Sequence, residues 1–138
     1  MNALAEDEEM NEMKMPEHIV VSIVDDDISV RRSTRRLLRS SGFRAEAFAS
    51  AEEFLDSKSA AETACLILDL RMPGMNGLEL QRRLAENGNP VPVIFLSARA
   101  SEEDERSALR AGAVQFLRKP TSKEALLSAI HEALGRPS

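Results

Sequence analysis

Five short apolar runs alternate with longer amphipathic stretches along this chain. Runs of four to eight aliphatic and β-branched residues predict strands, and stretches with apolar residues three or four positions apart predict helices. The predicted strands cover residues 18–24, 43–49, 64–69, 92–96 and 114–117. The predicted helices cover residues 28–41, 50–59, 78–86, 101–112 and 121–134.

This alternation predicts an α/β protein built from five βα units. Strands that are linked by helices form a parallel sheet through right-handed crossovers, with helices on both faces. The continuously apolar run ACLIL, residues 64–68, is typical of a strand that is buried on both faces. A doubly wound sheet of this kind binds its ligands beyond the carboxyl ends of the strands.

Residue pairs with the spacing of a capping box predict where three helices begin. In such a box a Ser or Thr side chain caps the helix, and an acidic side chain three residues later returns the contact. The pairs are Ser50–Glu53, Ser101–Asp104 and Thr121–Glu124. Asp27 precedes the first helix, so we also expect it to be an N-cap.

Polar residues follow four of the five predicted strands at their carboxyl ends. The first strand is followed by aspartates at 25–27, the third by Asp69, the fourth by Ser97 and the fifth by Lys119. Two like charges about 4 Å apart cost roughly 4 kcal/mol at an effective dielectric of 20, so clustered carboxylates need a cation. Carboxylates are ligands for Mg²⁺, whose coordination is usually completed by water and phosphate oxygens.

The same residues suggest phosphoryl chemistry. Asp69 could act as a nucleophile, because a carboxylate can form an aspartyl phosphate. Lys119 could hold phosphate oxygens by charge and Ser97 by a hydrogen bond. One such residue alone would mean little, whereas all of them in order at the ends of strands one, three, four and five form a pattern that chance rarely produces.

Composition and charge narrow the class of protein. Residues 1–17 contain six acids and one base, a net charge of −5, and the other residues hold 17 of each sign. The globular part therefore lacks the basic character of a nucleic-acid-binding domain, and we expect no direct nucleic acid binding. No apolar run approaches 18 residues, and no apolar run follows a basic N-terminal stretch, so we expect a cytoplasmic protein without a secretory signal or a membrane span. Cys65 lies in an apolar run and is expected to be an inert core thiol, and the two histidines, His18 and His131, do not suggest a metal site.

Four segments together resemble the receiver domain of bacterial two-component response regulators, most closely the NarL/FixJ-type subgroup. The segments read IVDDD, LILDLRMPGMNGLEL, PVIFLSA and AGAVQFLRKP, and the resemblance covers nearly the whole chain after the acidic tail. It implies a flavodoxin-like (βα)5 fold with strand order 2-1-3-4-5. With the composition, it leads us to expect an acidic, disordered tail over residues 1–17, a receiver domain over 18–135 and a short end at 136–138, with no output domain.

The resemblance assigns roles to residues of this chain. Asp69 would be the phosphoacceptor, Ser97 and Phe116 the switch pair, and Lys119 a phosphate ligand joined to Pro120 by a cis bond. Arg71 and Arg99 would tune the lifetime of the phosphate, and Gly77 matches the glycine that opens the third helix. The ligands of Mg²⁺, or of Mn²⁺ in its place, would be Asp25, Asp26, Asp69 and the backbone carbonyl of Arg71.

The implied function is a phosphoryl-accepting switch rather than a turnover enzyme. A histidine kinase or a phosphotransfer protein would donate the phosphoryl group, with self-catalysed phosphorylation and dephosphorylation. The readout would be the surface of the fourth helix, fifth strand and fifth helix, which would bind a target protein or form a homodimer. Arg31, Arg35 and Arg39 recur at four-residue intervals on the first helix and could bind the kinase, or could simply be solvated.

Several alternatives stay open at the level of sequence. Residues 25–29 also read D-x-D-x-S, as in haloacid-dehalogenase-type phosphatases, where Asp25 would be the nucleophile. The chain could also be a scaffold that is never phosphorylated. It could be a stand-alone receiver or a fragment of a DNA-binding regulator, and its acidic tail could be an autoinhibitory or partner-binding arm.

Overall fold

The computed structural model describes residues 19–135. The predictions for the acidic tail at 1–17, for position 18 and for residues 136–138 lie outside the described residues. Within residues 19–135, no helix is long and apolar enough to cross a membrane.

The five predicted strands form one parallel sheet. They are β1 (Val20–Val24), β2 (Arg44–Phe48), β3 (Thr63–Leu68), β4 (Val93–Ser97) and β5 (Gln115–Arg118). Their order in the sheet is β2-β1-β3-β4-β5, and every neighbouring pair is parallel. This is the strand order of the flavodoxin-like fold, so the predicted fold class is confirmed.

Four longer helices connect the strands, and a fifth follows β5. They are α1 (Ile28–Ser40), α2 (Ala51–Asp56), α3 (Gly77–Glu86), α4 (Glu102–Arg110) and α5 (Lys123–Ala133). The predicted helix over 50–59 is shorter than expected, because α2 ends at Asp56 and a separate one-turn helix, Ser59–Glu62, leads into β3.

The predicted N-caps Asp27, Ser50 and Ser101 are confirmed, whereas the box at Ser50 is incomplete and the cap of α5 differs. Asp27 caps α1, and Ser101 and Asp104 form a full capping box on α4. On α2, Ser50 accepts from the N–H of Glu53, but the Glu53 side chain accepts from the N–H of Ala49, so half of the predicted box forms.

The prediction that Thr121 and Glu124 cap α5 is wrong. Ser122 is the N-cap of α5, and its Oγ accepts from the N–H of Ala125. A capping box on α3, Asn76 with Glu79, was not predicted.

Apolar side chains pack on both faces of the sheet. One core lies between the sheet and α2, α3 and α4, and it includes Phe54, Leu80 and Phe95. The other lies between the sheet and the helix pair α1 and α5, and it includes Leu38 and Ile130. Residues of β3 alternate between the two cores, which confirms that this strand is buried on both faces.

Candidate functional site

The sheet places the predicted site residues along one edge. The backbone N–H of Asp69 donates to the carbonyl of Val24 at 2.9 Å, which aligns the end of β3 with the end of β1. At the other side, the N–H of Lys119 donates to the carbonyl of Ser97 at 2.9 Å, which aligns the ends of β5 and β4. The pairing of β1, β3, β4 and β5 therefore brings four side chains together at this edge. They are Asp25, Asp69, Ser97 and Lys119, which lie up to 94 residues apart in sequence.

Lys119 lies between two buried carboxylates. Its Nζ donates to Oδ2 of Asp25 at 2.8 Å and lies 3.6 Å from Oδ2 of Asp69. The other oxygen of Asp25, Oδ1, accepts from the N–H of Asp27 at 2.9 Å. Asp25 and Asp69 are only 2% and 7% exposed, so neither charge is screened well by water.

Three carboxylates are grouped closely enough to share one cation. Asp25, Asp26 and Asp69 each offer an oxygen within 4.8 Å of the others, and no other group of His, Cys, Asp or Glu in residues 19–135 meets this test. One lysine cannot neutralise three carboxylates. The donor set, oxygen atoms with net negative charge, fits a hard divalent cation such as Mg²⁺.

Burial and neighbouring charges raise the pKa values of two residues in the cluster, Asp69 and Lys119. Burial, followed by the charge of Asp25, raises the pKa of the Asp69 carboxyl to about 6, although Lys119 and the backbone N–H of Arg71 oppose the shift. Partial burial lowers the pKa of Lys119, but its hydrogen bond to Asp25 and the nearby acidic charges outweigh that cost, so its pKa lies above the ordinary value. The lysine is therefore an ammonium ion at neutral pH.

Ser97 has a buried hydroxyl that lacks a partner. Its side chain is 1% exposed, and its Oγ makes no hydrogen bond within the described part of the chain. Buried hydroxyls without partners are uncommon, and each calls for an explanation. Ser97 lines a cavity of about 460 Å³ together with Asp69 and Lys119, so an oxygen-rich ligand placed there could satisfy the hydroxyl.

The same cavity is open on its outer side. Its remaining lining residues are Asp26, Asp27, Arg71, Ala98 and Arg99. Ala98 is small and exposed, so it leaves room beside Asp69 for a group the size of a phosphate.

Gly77 supports the backbone beneath the site. A Cβ atom at this position would lie 2.5 Å from the carbonyl oxygen of Asp69 and 2.9 Å from the Phe95 ring. The N–H of Gly77 donates to the carbonyl of Leu70 at 2.9 Å. The start of α3 can therefore approach the end of β3 only because residue 77 has no side chain.

Phe116 is buried on the α4 side of β5. It is 9% exposed, and its ring stacks on Phe95 with 5.6 Å between centroids. Arg118, which sequence reasoning did not single out, lies over the outer side of this ring, 5.5 Å from its centroid. Arg118 also donates to the carbonyl of Ala100 at 2.7 Å and to Glu105 at 2.9 Å.

Arg71 contacts the same loop. Its Nε donates to the carbonyl of Arg99 at 3.3 Å, and its NH2 group donates to Asp104 at 2.7 Å. Arg71 and Arg118 thus hold successive carbonyls of the loop between β4 and α4. No local sequence pattern signals these contacts, because their partners lie 13 to 33 residues away.

The structure separates the arginines that were grouped on the first helix. Arg31 donates to the backbone carbonyl of Asp25 at 2.8 Å and so belongs to the edge of the site. Arg35 and Arg39 instead line a cavity on the outer face of α1, together with Arg32, Arg36 and Ser40.

Pro120 follows Lys119 through a cis peptide bond. It lies at the rim of an apolar groove of about 570 Å³ between α1 and the start of α5. The groove is lined on the α1 side by Val30, Thr34 and Leu37.

The fold and site together define a doubly wound α/β protein with an acidic, lysine-containing centre at the carboxyl edge of its sheet. The sequence profile of the response regulator receiver domain matches residues 21–131. The chain therefore belongs to the response regulator receiver domain family, whose members are signalling proteins rather than turnover enzymes.

Individual relatives agree with this assignment. Response regulator protein TmoT of Ectopseudomonas mendocina is 45% identical over 115 residues, which is 83% of this chain and 52% of TmoT. Transcriptional regulatory protein FixJ of Azorhizobium caulinodans is 38% identical over 122 residues, which is 88% of this chain and 58% of FixJ. The chain thus spans about half the length of these curated relatives.

A solved structure matches over most of both chains. The response regulator receiver protein from Burkholderia phymatum is 46% identical, with a TM-score of 0.76 over 87% of this chain and 98% of that one. The predicted resemblance to the receiver family and its FixJ-type members is confirmed.

Proposed function

We propose that this chain is a phosphoryl-accepting switch that receives its phosphoryl group on Asp69. The observation that carries the proposal is the convergence of Asp69, Lys119 and the unpartnered hydroxyl of Ser97 on one cavity beside two further carboxylates. Each residue type there suits one part of phosphoryl transfer: a nucleophile, a positive charge and a hydrogen-bond donor. Residues 18–135 would form the receiver unit.

The transfer step requires little covalent chemistry from the protein. A carboxylate oxygen of Asp69 attacks the phosphorus of a phosphohistidine, the new O–P bond forms, and the N–P bond breaks. The electron pair of that bond stays on the histidine nitrogen of the donor. Lys119 Nζ, 3.6 Å from Asp69, would hold a phosphoryl oxygen as negative charge moves onto it.

The residues that would hold Mg²⁺, or Mn²⁺, are the carboxylates of Asp25, Asp26 and Asp69 and the backbone carbonyl of Arg71. When bound, the cation neutralises charge on the carboxylates and on the phosphoryl oxygens. Without a cation, the negative charge of Asp25 and Asp26 opposes the approach of an anionic donor to Asp69.

Ser97 and Phe116 would convert phosphorylation into a change of surface. The Ser97 hydroxyl would donate to a phosphoryl oxygen, because it has no partner among the described residues. A shift of Ser97 would open space on the inner side of Phe116, whose ring already packs on Phe95. The affected surface is formed by α4, β5 and α5, and it would bind a target protein or a second copy.

Arg71 and Arg99 would influence how long the phosphate persists. Both residues line the open side of the cavity, where a water molecule must approach the phosphorus during hydrolysis. The Arg71 side chain is held by Asp104, so the two residues differ in how firmly they are placed.

Arg31, Arg35 and Arg39 would contact the histidine kinase or phosphotransfer protein. They lie on α1, whose groove against α5 ends at Lys119 and Pro120, close to the phosphoacceptor. A donor histidine that reaches Asp69 must approach over this edge, so positive charge on α1 would attract an acidic partner surface.

The proposal is tested by measuring intact mass after incubation with acetyl phosphate and Mg²⁺. We expect one phosphoryl adduct on the wild type and none on Asp69→Asn or when Mg²⁺ is chelated. Asp27→Asn is the matched control, because Asp27 lines the same cavity but serves as the cap of α1, a role that asparagine also fills. An adduct that persists in Asp69→Asn, or is absent from the wild type, would overturn the proposal.

A further inference from the structure

The outer face of α1 carries a cluster of arginines that have no acidic partner among residues 19–135. Arg32, Arg35, Arg36 and Arg39 line one cavity of about 640 Å³, and three of them are exposed. Among residues 19–135, none of the four forms an ion pair with a carboxylate. We call these four residues the arginine face.

One arginine of this face also has a hydrogen-bond donor that is shielded from water. The Nε of Arg35 is buried and has no hydrogen-bond partner in the described part of the chain. Arginines about one helical turn apart repel one another, and an acidic ligand would relieve that repulsion. The arginine face therefore presents a concentrated positive charge that suits a flexible or extended acidic peptide.

The chain itself contains such a segment. Residues 1–17 carry a net charge of −5, and the other residues carry equal numbers of acids and bases. The acids are Glu6, Asp7, Glu8, Glu9, Glu12 and Glu17. From charge complementarity we infer that the acidic segment 1–17 binds the arginine face of α1 in the same molecule.

The acidic segment is joined to the domain close to the end of α1. The carbonyl of Ile19 accepts from the N–H of Arg44 at 3.1 Å, so the acidic segment joins the domain where β2 begins. Only residues 41–43 separate Arg44 from the end of α1, and Arg39 lies in the last turn of that helix. The attachment point therefore lies near the Arg39 end of the arginine face.

The acidic segment is also long enough to extend along the whole of α1. The 13 residues of α1 extend about 20 Å at 1.5 Å per residue. An acidic segment of 17 residues can span more than twice that distance at about 3.3 Å per residue. A tethered segment also has an effective concentration in the millimolar range, so individually weak ion pairs can populate the bound form.

Binding of the acidic segment to α1 would affect phosphoryl transfer, an effect that rests on the proposed function. Arg35 and Arg39 are also residues that we propose for kinase docking, so the acidic segment would compete with the kinase for α1. The contact itself does not depend on that proposal, and the experiment below measures only the contact.

A spin label in the acidic segment tests the inference in the full chain. Asn11→Cys provides one labelling site, because Cys65 is 0% exposed and burial raises the pKa of its thiol to about 12. We expect the nitroxide to broaden the amide NMR signals of residues 32–40 selectively, with at least threefold less broadening at 1 M salt.

Arginine variants identify the partner residues. Arg36→Gln with Arg39→Gln, both exposed positions, should reduce the broadening at least threefold. The control is Arg82→Gln with Arg83→Gln on the exposed side of α3, which should change nothing. Broadening that is spread over the surface, or that does not respond to the α1 variants, would overturn the inference.

A mixed sample separates contacts within one molecule from contacts between molecules. In it, spin-labelled chains without ¹⁵N are combined with ¹⁵N chains that carry no spin label. We expect no broadening of α1 signals there. Equal broadening in the mixed sample would show that the acidic segment binds a second copy and would overturn the intramolecular contact.

Discussion

The guanidinium of Arg118 covers the ring of Phe116, with 5.5 Å between its central carbon and the ring centroid. The same guanidinium donates to the carbonyl of Ala100 and to Glu105 on α4. Arg118 therefore links the buried aromatic residue of β5 to the loop and helix that follow Ser97. Any movement of Phe116 or of this loop must rearrange these contacts.

The first prediction follows from that link. Arg118→Ala removes a cation–π contact and an exposed ion pair, each worth about 0.5 to 1 kcal/mol. If these contacts favour the present arrangement of Phe116, their loss should shift the population towards the phosphorylated form. We expect the affinity for beryllofluoride, a phosphoryl mimic, to rise about threefold to tenfold in a fluorescence or calorimetric titration.

Arg44→Ala serves as the control for this experiment. Arg44 also forms an exposed ion pair, with Glu46, but it lies on the edge strand β2 far from the loop after Ser97. Its removal should leave beryllofluoride affinity unchanged. An unchanged or weakened affinity in Arg118→Ala would mean that Arg118 does not restrain the switch.

The second prediction is that the charged form of Asp69 destabilises the folded protein at neutral pH. Its folded-state pKa of about 6 lies above the ordinary value of 3.8, so the folded protein is destabilised as pH rises from about 4 to 6. At pH 7 without divalent cations, Asp69→Asn should therefore raise the free energy of unfolding by about 1 to 3 kcal/mol. Urea denaturation at several pH values measures the effect.

The pH dependence provides the internal check. The advantage of Asp69→Asn should shrink between pH 6 and pH 4, because the wild-type carboxyl is then protonated and uncharged. Mg²⁺ should stabilise the wild type more than the variant. A variant that is less stable than the wild type at pH 7, or a difference independent of pH, would contradict this reading of the site.

The third prediction concerns the close approach at Gly77. Replacing a helical glycine by alanine usually stabilises a protein by up to about 1 kcal/mol. Here the added Cβ would lie 2.5 Å from the Asp69 carbonyl, so we expect Gly77→Ala to destabilise the fold by about 2 kcal/mol and to slow phosphorylation by acetyl phosphate. Denaturation and intact mass measure the two effects.

Gly88→Ala separates steric contact from backbone strain. Gly88 has a φ of +75° but no atom within 4 Å of an added Cβ. Its replacement should cost about 1 kcal/mol through strain and leave the rate of phosphorylation unchanged. Equal rates for both variants and the wild type would show that the approach at residue 77 does not position Asp69.

The fourth prediction tests the docking role of α1. Arg35→Glu should slow phosphoryl transfer from the histidine kinase about tenfold, because it places negative charge on the proposed contact surface. Labelling by acetyl phosphate, a small donor that needs no docking, should be unchanged. Equal slowing with both donors would place the effect in the phosphorylation site and not in docking, and Arg82→Glu on α3 controls for the change of charge.

The sequence predicted the positions of the central residues because sheet geometry determines them. Asp69, Ser97 and Lys119 each follow an apolar run, and the carboxyl ends of parallel strands must share one edge. The pattern alone does not decide whether Asp69 or Asp25 is the nucleophile, because both carboxylates follow a strand at this edge.

Details that depend on side-chain direction were not predictable. Thr121 and Ser122 are adjacent candidate caps for α5, and local sequence cannot decide between them. The partners of Arg118 lie up to 18 residues away, so nothing near residue 118 distinguishes it from a solvated arginine. The regular spacing of Arg31, Arg35 and Arg39 suggested one stripe, whereas Arg31 turns to the carbonyl of Asp25.

Mapping the phosphorylated residue tests the central claim most directly. The protein is incubated with acetyl phosphate and Mg²⁺, and borohydride then reduces any aspartyl phosphate to homoserine, which peptide mass spectrometry locates. The account predicts homoserine at position 69 and at no other aspartate. Homoserine at position 25 would indicate the phosphatase-like alternative, and either that result or the absence of homoserine at position 69 would contradict the account.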